Sequence, residues 1–391
     1  MPFDAMTSSL APSDHGRRRG TRPVALWLLV VAGMIWAMVA LGGATRLTGS
    51  GLSIMEWAPI MGSLPPFSQA EWQRLYDLYR EIPQYRLVNA GFGMEGFQRI
   101  FWLEWAHRFW GRMIGLAYLL PLLWFWASGR IGRAMLPRFL VLLALGGTQG
   151  AIGWFMVASG FEEGRTAVSP YRLVLHLSMA FVLFGAVLWT ALGLLQPQPP
   201  ALPAQAQARR PMVRRQVQVA FWLALATMLA GGFVAGIRAG FSYNSFPLMD
   251  GQLVPRGYLD LSPWWTNFTA NIAAVQFNHR LLASLALLAA LGAVAAAWRH
   301  LPAGPTRTWV LVFGATIALQ YALGIFTLLH VVPWSLGTLH QAVAVAVLGA
   351  GILALHGLRA PRPHPALPGS GLPGPGLPGS ALPGPGFVQP A

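Results

Sequence analysis

Eight apolar stretches fix what this chain can become. They lie near 24–43, 104–127, 136–157, 171–195, 217–237, 270–298, 308–329 and 335–357, and each reaches the roughly 20 residues a helix needs to cross a bilayer. Inside lipid every backbone N–H and C=O must find a partner within its own segment, so stretches of this length can only span as α-helices. Hydrophobic residues make up 55% of the chain and charged residues 10%, a balance that excludes a soluble globular fold. The expected class is an all-α integral membrane protein with eight transmembrane helices. The second and sixth stretches are longer than a span requires and should project beyond the hydrocarbon.

The net charge of +15 invites a nucleic-acid reading, but its distribution argues against one. Every basic residue is arginine. Arg17, Arg18, Arg19 and Arg22 precede span one, Arg130, Arg133 and Arg138 separate spans two and three, and Arg209, Arg210, Arg214 and Arg215 separate four and five. Arg299 and Arg307 separate six and seven, and Arg359 and Arg362 follow span eight. These segments alternate onto one side, where the only acids are Asp4 and Asp14; the other acids, Glu56 to Asp260, fall in the opposite loops. The positive-inside rule then makes both termini cytoplasmic. The first stretch reads as a retained span and not as a cleaved leader. Cysteine is absent, which rules out disulfides, thiolate ligation of haem, iron–sulfur clusters and c-type haem attachment.

The two halves of the chain echo each other. Gly42-Gly43, Arg46, Ser50, Gly51, Leu52 and Ser53 recur as Gly231-Gly232, Arg238, Gly240, Phe241 and Ser242; EWAHR (104–108) recurs as QFNHR (276–280), and LHLSMA (175–180) as LHQAVA (339–344). Each half carries four spans, an even number, so both have the same orientation and should be related by a pseudo-twofold axis along the membrane normal. The expected organisation is a cytoplasmic tail over 1–23, a four-helix unit over 24–195, a linker over 196–216, a second four-helix unit over 217–357 and a disordered Pro/Gly-rich tail over 358–391. The outer loop 44–103 is too long for a plain connector. Ser68 and Glu71 form a capping box ahead of a short helix, with Trp72, Leu75, Tyr76 and Tyr79 on one face and Pro83 beyond its end. Trp264-Trp265 in the shorter loop 238–268 suits a headgroup anchor.

His107, His176, His279 and His340 are the residues that carry chemistry. A histidine at bilayer depth is costly unless something ligates or pairs it. All four map to the outer ends of spans two, four, six and eight, so His107 can meet His176, and His279 can meet His340, one pair per unit. Two imidazoles opposed across a bundle suit a haem iron. Arg108 and Arg280 follow the first ligand of each pair and would offer a guanidinium to haem propionates. Glu104 stands three residues before His107, where the second unit has Gln276. Only the first unit therefore has an ionisable acid able to move protons, which marks it as the reactive site and the second as a structural or electron-relaying haem site. His15, His300, His330, His356 and His364 receive no role.

GGATRLTGSGLS (42–53), FWLEWAHRFWGRMIG (101–115), Leu175-His176, FNHR (277–280) and Leu339-His340 closely resemble the haem A synthase family over residues 24–357. The resemblance implies oxidation of the C8 methyl of haem O to a formyl group, giving haem A for cytochrome oxidase. By position, Glu104 matches the family's catalytic acid, His107 and His176 the ligands of the substrate haem, and His279 and His340 those of a b-type haem cofactor. Partners so implied are haem O as substrate, haem O synthase, cytochrome oxidase assembly factors and the lipid bilayer. Some members carry a cysteine pair in the first outer loop; this chain has none, so it looks like the mitochondrial and proteobacterial branch. Two rival readings are a di-haem electron carrier of the quinol or ferric reductase kind and a repeat-built transporter. The first leaves the lone Glu104 unexplained, and the second predicts polar breaks at mid-bilayer. The electron acceptor, the source of the inserted oxygen, the delivery of haem O and the oligomeric state, including a homo-oligomer, stay open.

Overall fold

The computed structural model describes residues 14–58 and 61–361, with side chains from residue 20 onward except Met61. All eight expected spans are helices: α1 (Asp14–Leu47), α3 (Gly93–Ala127), α4 (Leu136–Ala158), α5 (Pro170–Leu195), α6 (Ala204–Gly236), α8 (Ile272–His300), α9 (Pro305–Leu329) and α10 (Trp334–Gly357). Short helices α2 (Gln69–Arg80) and α7 (Asn267–Ala270) sit in the two long loops. No strand occurs among the described residues. The protein is a multi-pass membrane protein of the all-α class.

Some elements differ from the sequence expectation. α3 starts at Gly93, eleven residues before the apolar stretch, so His107 lies well inside a long helix rather than in its first turns. α6 starts at Ala204, and the expected linker over 196–216 is mostly helix. Arginine is a good helix former, and Arg210 and Arg214 have partners: their guanidinium groups donate to the carbonyls of Arg359 and Leu358, at the end of α10. Cations there complement unsatisfied C-terminal carbonyls. The tail beyond residue 361 lies outside the described residues.

Lipid gives helices no hydrophobic reason to associate, so close packing decides. On α8, Ala286, Ala290, Ala293 and Ala297 are buried along one stripe, and on α6, Val213, Val217, Ala220 and Ala224 form another with the same spacing. These two helices pack on each other. Neighbours in the first four spans are α1 with α3, α3 with α4, α4 with α5, and α5 with α1. In the last four they are α6 with α8, α8 with α9, α9 with α10, and α10 with α6. The two sets meet through α1 with α10, α5 with α6, and α5 with α10.

The loop 48–92 is built as the sequence suggests, with one change. Ser68 caps α2, its hydroxyl accepting from the Glu71 N–H at 3.2 Å. Glu71 does not return the bond; its carboxylate accepts from Arg74 at 2.8 Å, because a guanidinium outcompetes a lone backbone N–H. The apolar face of α2 buries Leu75 and Tyr79, and Trp72 and Tyr79 pack on Phe97, on the extra turns of α3. Trp264 and Trp265 are exposed, as an interfacial anchor requires.

Candidate haem-binding sites

Each of the four histidines is seated on a glycine of the preceding span. A Cβ at Gly42 would lie 3.0 Å from His107 Cε1, and one at Gly231 would lie 3.0 Å from His279 Cε1. Gly153 and Gly324 stand in the same relation to His176 and His340, at 2.9 Å. Any larger residue would push the imidazole away. All four imidazoles line a single cavity.

The third span of each half adds a residue that sequence reasoning missed. Gln149 Nε2 donates to the His176 carbonyl at 3.2 Å, and Gln320 Nε2 to the His340 carbonyl at 2.9 Å. Gln149 Nε2 is also 3.2 Å from His176 Nδ1, and Gln320 Nε2 is 3.3 Å from His340 Nε2. The available signal was a glutamine four residues before a glycine in spans three and seven, a spacing that puts both on one face.

One cavity of about 1860 Å³ is lined by all four histidines together with Glu104, Arg108, Gln276 and Arg280. Cavities that hold one small molecule or cofactor run to about 300–1,000 Å³, so this space admits two. The buried Nδ1 atoms of His107 and His340 and the Oε1 atoms of Gln149 and Gln320 have no hydrogen-bond partner. Among the described residues no three His, Asp or Glu side chains converge as a bare metal ion would need. Paired imidazoles, cradles that a Cβ would fill, orphaned nitrogens and a wide apolar space fit a porphyrin iron in each half.

Glu104 is buried, 2% exposed, and both of its carboxylate oxygens accept hydrogen bonds. Its Oε2 accepts from the Ser53 N–H (2.6 Å), the Ser53 hydroxyl (2.7 Å) and the Ile54 N–H (3.0 Å). Its Oε1 accepts from Arg108 Nε at 3.1 Å and Nη2 at 2.7 Å. Arg108 also donates to the carbonyls of Ile54 and Glu56. In the second half Gln276 Nε2 donates to the carbonyls of Ala239 and Ser242, and its Oε1 accepts from Arg280, which donates to Tyr243 and Ser245. The acid and the amide thus perform one structural task, clamping the preceding loop onto the helix. Most donors of both arginines are committed to that clamp; one N–H on Nη1 of each stays uncommitted, as does the buried Nε of Arg280.

The halves differ at the seam between their second and third spans. In the second half the Ser284 and Tyr321 hydroxyls meet at 3.0 Å and tie α8 to α9. The corresponding residues of the first half are Arg112 and Gly150. α3 and α4 touch only sparsely, and a Cβ at Gly115, Gly146, Gly147 or Gly150 would meet nothing within 4 Å.

Fold and site together define a polytopic helical membrane protein with two imidazole pairs around one intramembrane cavity. Residues 25–352 match the COX15-CtaA family, described as cytochrome oxidase assembly protein. The chain is similar to the heme A synthase of Granulibacter bethesdensis, 52% identical across 91% of this chain and 96% of that protein. It is also similar to the heme A synthases of Rhodospirillum centenum, at 48% identity over 91% and 94%, and Parvibaculum lavamentivorans, at 46% over 86% and 94%. The chain belongs to the COX15-CtaA family.

Proposed function

We propose that this protein is a haem A synthase, an oxidoreductase that converts the C8 methyl of haem O to a formyl group by two successive hydroxylations, the resulting gem-diol losing water. The observation that carries the reading is the pair of imidazole seats on one cavity with a carboxylate beside only one of them. Similarity to heme A synthases over nearly the whole chain supports it.

In this reading residues 24–195 hold the substrate and residues 217–357 hold haem b, as two pseudo-twofold-related four-helix units. The matching neighbour patterns of the two sets of spans support that division. His107 and His176 ligate haem O; His279 and His340 ligate haem b, which when bound supplies one-electron chemistry. The remaining N–H groups of Arg108 and Arg280 would hold the propionates. Glu104 stands at the lip of the first site with the Ser53 hydroxyl on Oε2, so a proton arriving there must displace Ser53 or Arg108. Its role is to take up that proton, or to orient water, as the methyl carbon is oxidised. The farnesyl tail leaves between α3 and α4, where the glycines leave room that Tyr321 closes in the second half. Both termini face the cytoplasm from the inner membrane, and haem O synthase and oxidase assembly factors are the partners on either side of the reaction.

Chromatography of haems extracted from membranes of cells that make haem O tests the reading. Expression of this chain should convert haem O to haem A. Unchanged haem O with two bound b-type haems would instead make it an electron carrier.

A further inference from the structure

His279 and His107 occupy equivalent seats but differ in what holds the ring. His279 Nδ1 lies 3.0 Å from the backbone carbonyl of Thr227. A carbonyl only accepts, so Nδ1 carries the proton and the lone pair stays on Nε2, the nitrogen free to ligate iron. His107 Nδ1 is buried and without a partner. His340 Nδ1 is also unpartnered, and the His176 ring nitrogens face the Gln149 amide. Only His279 thus meets an obligate acceptor.

The cause lies one turn before the glycine seat. Thr227 precedes Gly231 by four, and its hydroxyl donates to the Leu223 carbonyl at 2.8 Å. Backward bonds of this kind to residue i−4 often bend a helix locally, and such a bend would turn the Thr227 carbonyl toward the ring. In the first half the same position, four before Gly42, is Met38. Methionine has no hydroxyl, and its Cε rests near Gly111 instead.

We infer that Thr227 is a positioning residue that locks the tautomer and ring orientation of His279, and that Met38 leaves His107 unlocked so that the first site binds its porphyrin exchangeably. The inference rests on the assignment of substrate to the first half and cofactor to the second. A resident cofactor must be retained through every turnover, whereas a substrate haem must leave as product. Partners behind a ligating histidine typically change metal-site affinity by about 10–100-fold.

The test is haem transfer from the purified full-length protein, loaded with haem at both sites, to an excess of apomyoglobin, followed by absorbance. Electron paramagnetic resonance of the low-spin ferric signals reports ligand orientation. Wild type should show one fast and one slow phase. Thr227→Val should speed the slow phase by about 10-fold or more and shift its signal, while Thr227→Ser, which keeps the backward bond, should restore both. Met38→Thr should slow the fast phase by a similar factor, a gain that no folding defect can mimic. A slow phase unmoved by Thr227→Val and a fast phase unmoved by Met38→Thr would overturn the inference and leave the haem A synthase reading intact. Wild-type protein that takes up no second haem would overturn the site assignment itself.

Discussion

The Tyr321 hydroxyl meets that of Ser284 at 3.0 Å and closes the seam between α8 and α9, while Gly150 leaves the matching seam between α3 and α4 open. The half read as the cofactor site is therefore sealed sideways, and the half read as the substrate site is not. Gly150→Leu adds a side chain where a Cβ meets nothing within 4 Å, so it should fold normally. It should cut affinity for haem O by about 10–200-fold, the range for apolar pocket discrimination, while haem lacking the farnesyl tail binds the first site as before. Spectral titration with the two porphyrins makes the comparison, and equal losses for both would remove the tail from this seam.

Gly324→Ala places a methyl 2.9 Å from His340 Cε1. Overpacking of this kind costs about 1–3 kcal/mol, and the haem b content of purified protein should fall accordingly. Gly153→Ala should leave haem b in place and lower conversion of haem O. Pyridine haemochrome spectra and haem chromatography separate the two outcomes; identical losses in both variants would mean that the seats are not independent.

Glu104→Gln should retain both haems and lose conversion by about 10²–10⁴-fold, the contribution of a positioned proton-transfer group. The Gln276–Arg280 bond of 3.0 Å shows that an amide can still meet the arginine. Wild-type yield of haem A from this variant would remove Glu104 from the chemistry and leave it as a loop clamp.

His279→Ala removes one of the two ligands assigned to haem b. The purified variant should lack the low-spin b-type spectrum and retain uptake of haem O by the first half. Unchanged haem content would contradict the second site.

Arg74 binds Glu56 through two bonds, at 2.8 and 2.9 Å, and holds that carboxylate below its usual range. A lowered carboxylate stabilises above its unfolded value of 4.5 and loses that contribution as pH falls through the lower, folded value. Both side chains are nearly half exposed, so the pair contributes only about 0.2–1 kcal/mol. Hydrogen exchange of residues 69–80, corrected for intrinsic rates, should show weaker protection near pH 3.5 than near pH 7. Arg74→Ala should abolish the difference.

Sequence periodicity revealed the eight helices because lipid leaves an apolar run no other spanning form. Register between halves revealed the histidine pairs and the Glu104–Gln276 contrast. The extra turns of α6 were hidden because hydropathy marks only the part of a helix inside hydrocarbon, and the arginines there are good helix formers. The commitment of Arg108 and Arg280 to loop carbonyls was not readable either. Those acceptors lie tens of residues away, and a backbone carbonyl leaves no mark in composition. Gln149, Gln320 and Thr227 were overlooked as isolated polar residues in apolar runs; only their distance of four from a glycine set them apart.

The glycine doublets carry a consequence for how the two halves communicate. Gly42 backs onto His107 while Gly43 abuts the Gln341 side chain, next to His340; Gly231 backs onto His279 while Gly232 abuts Leu177, next to His176. Between the two imidazole pairs each crossing helix thus presents two adjacent residues with no side chains. A side chain added at either doublet would therefore press at once on a histidine of one half and on a neighbour of a histidine in the other.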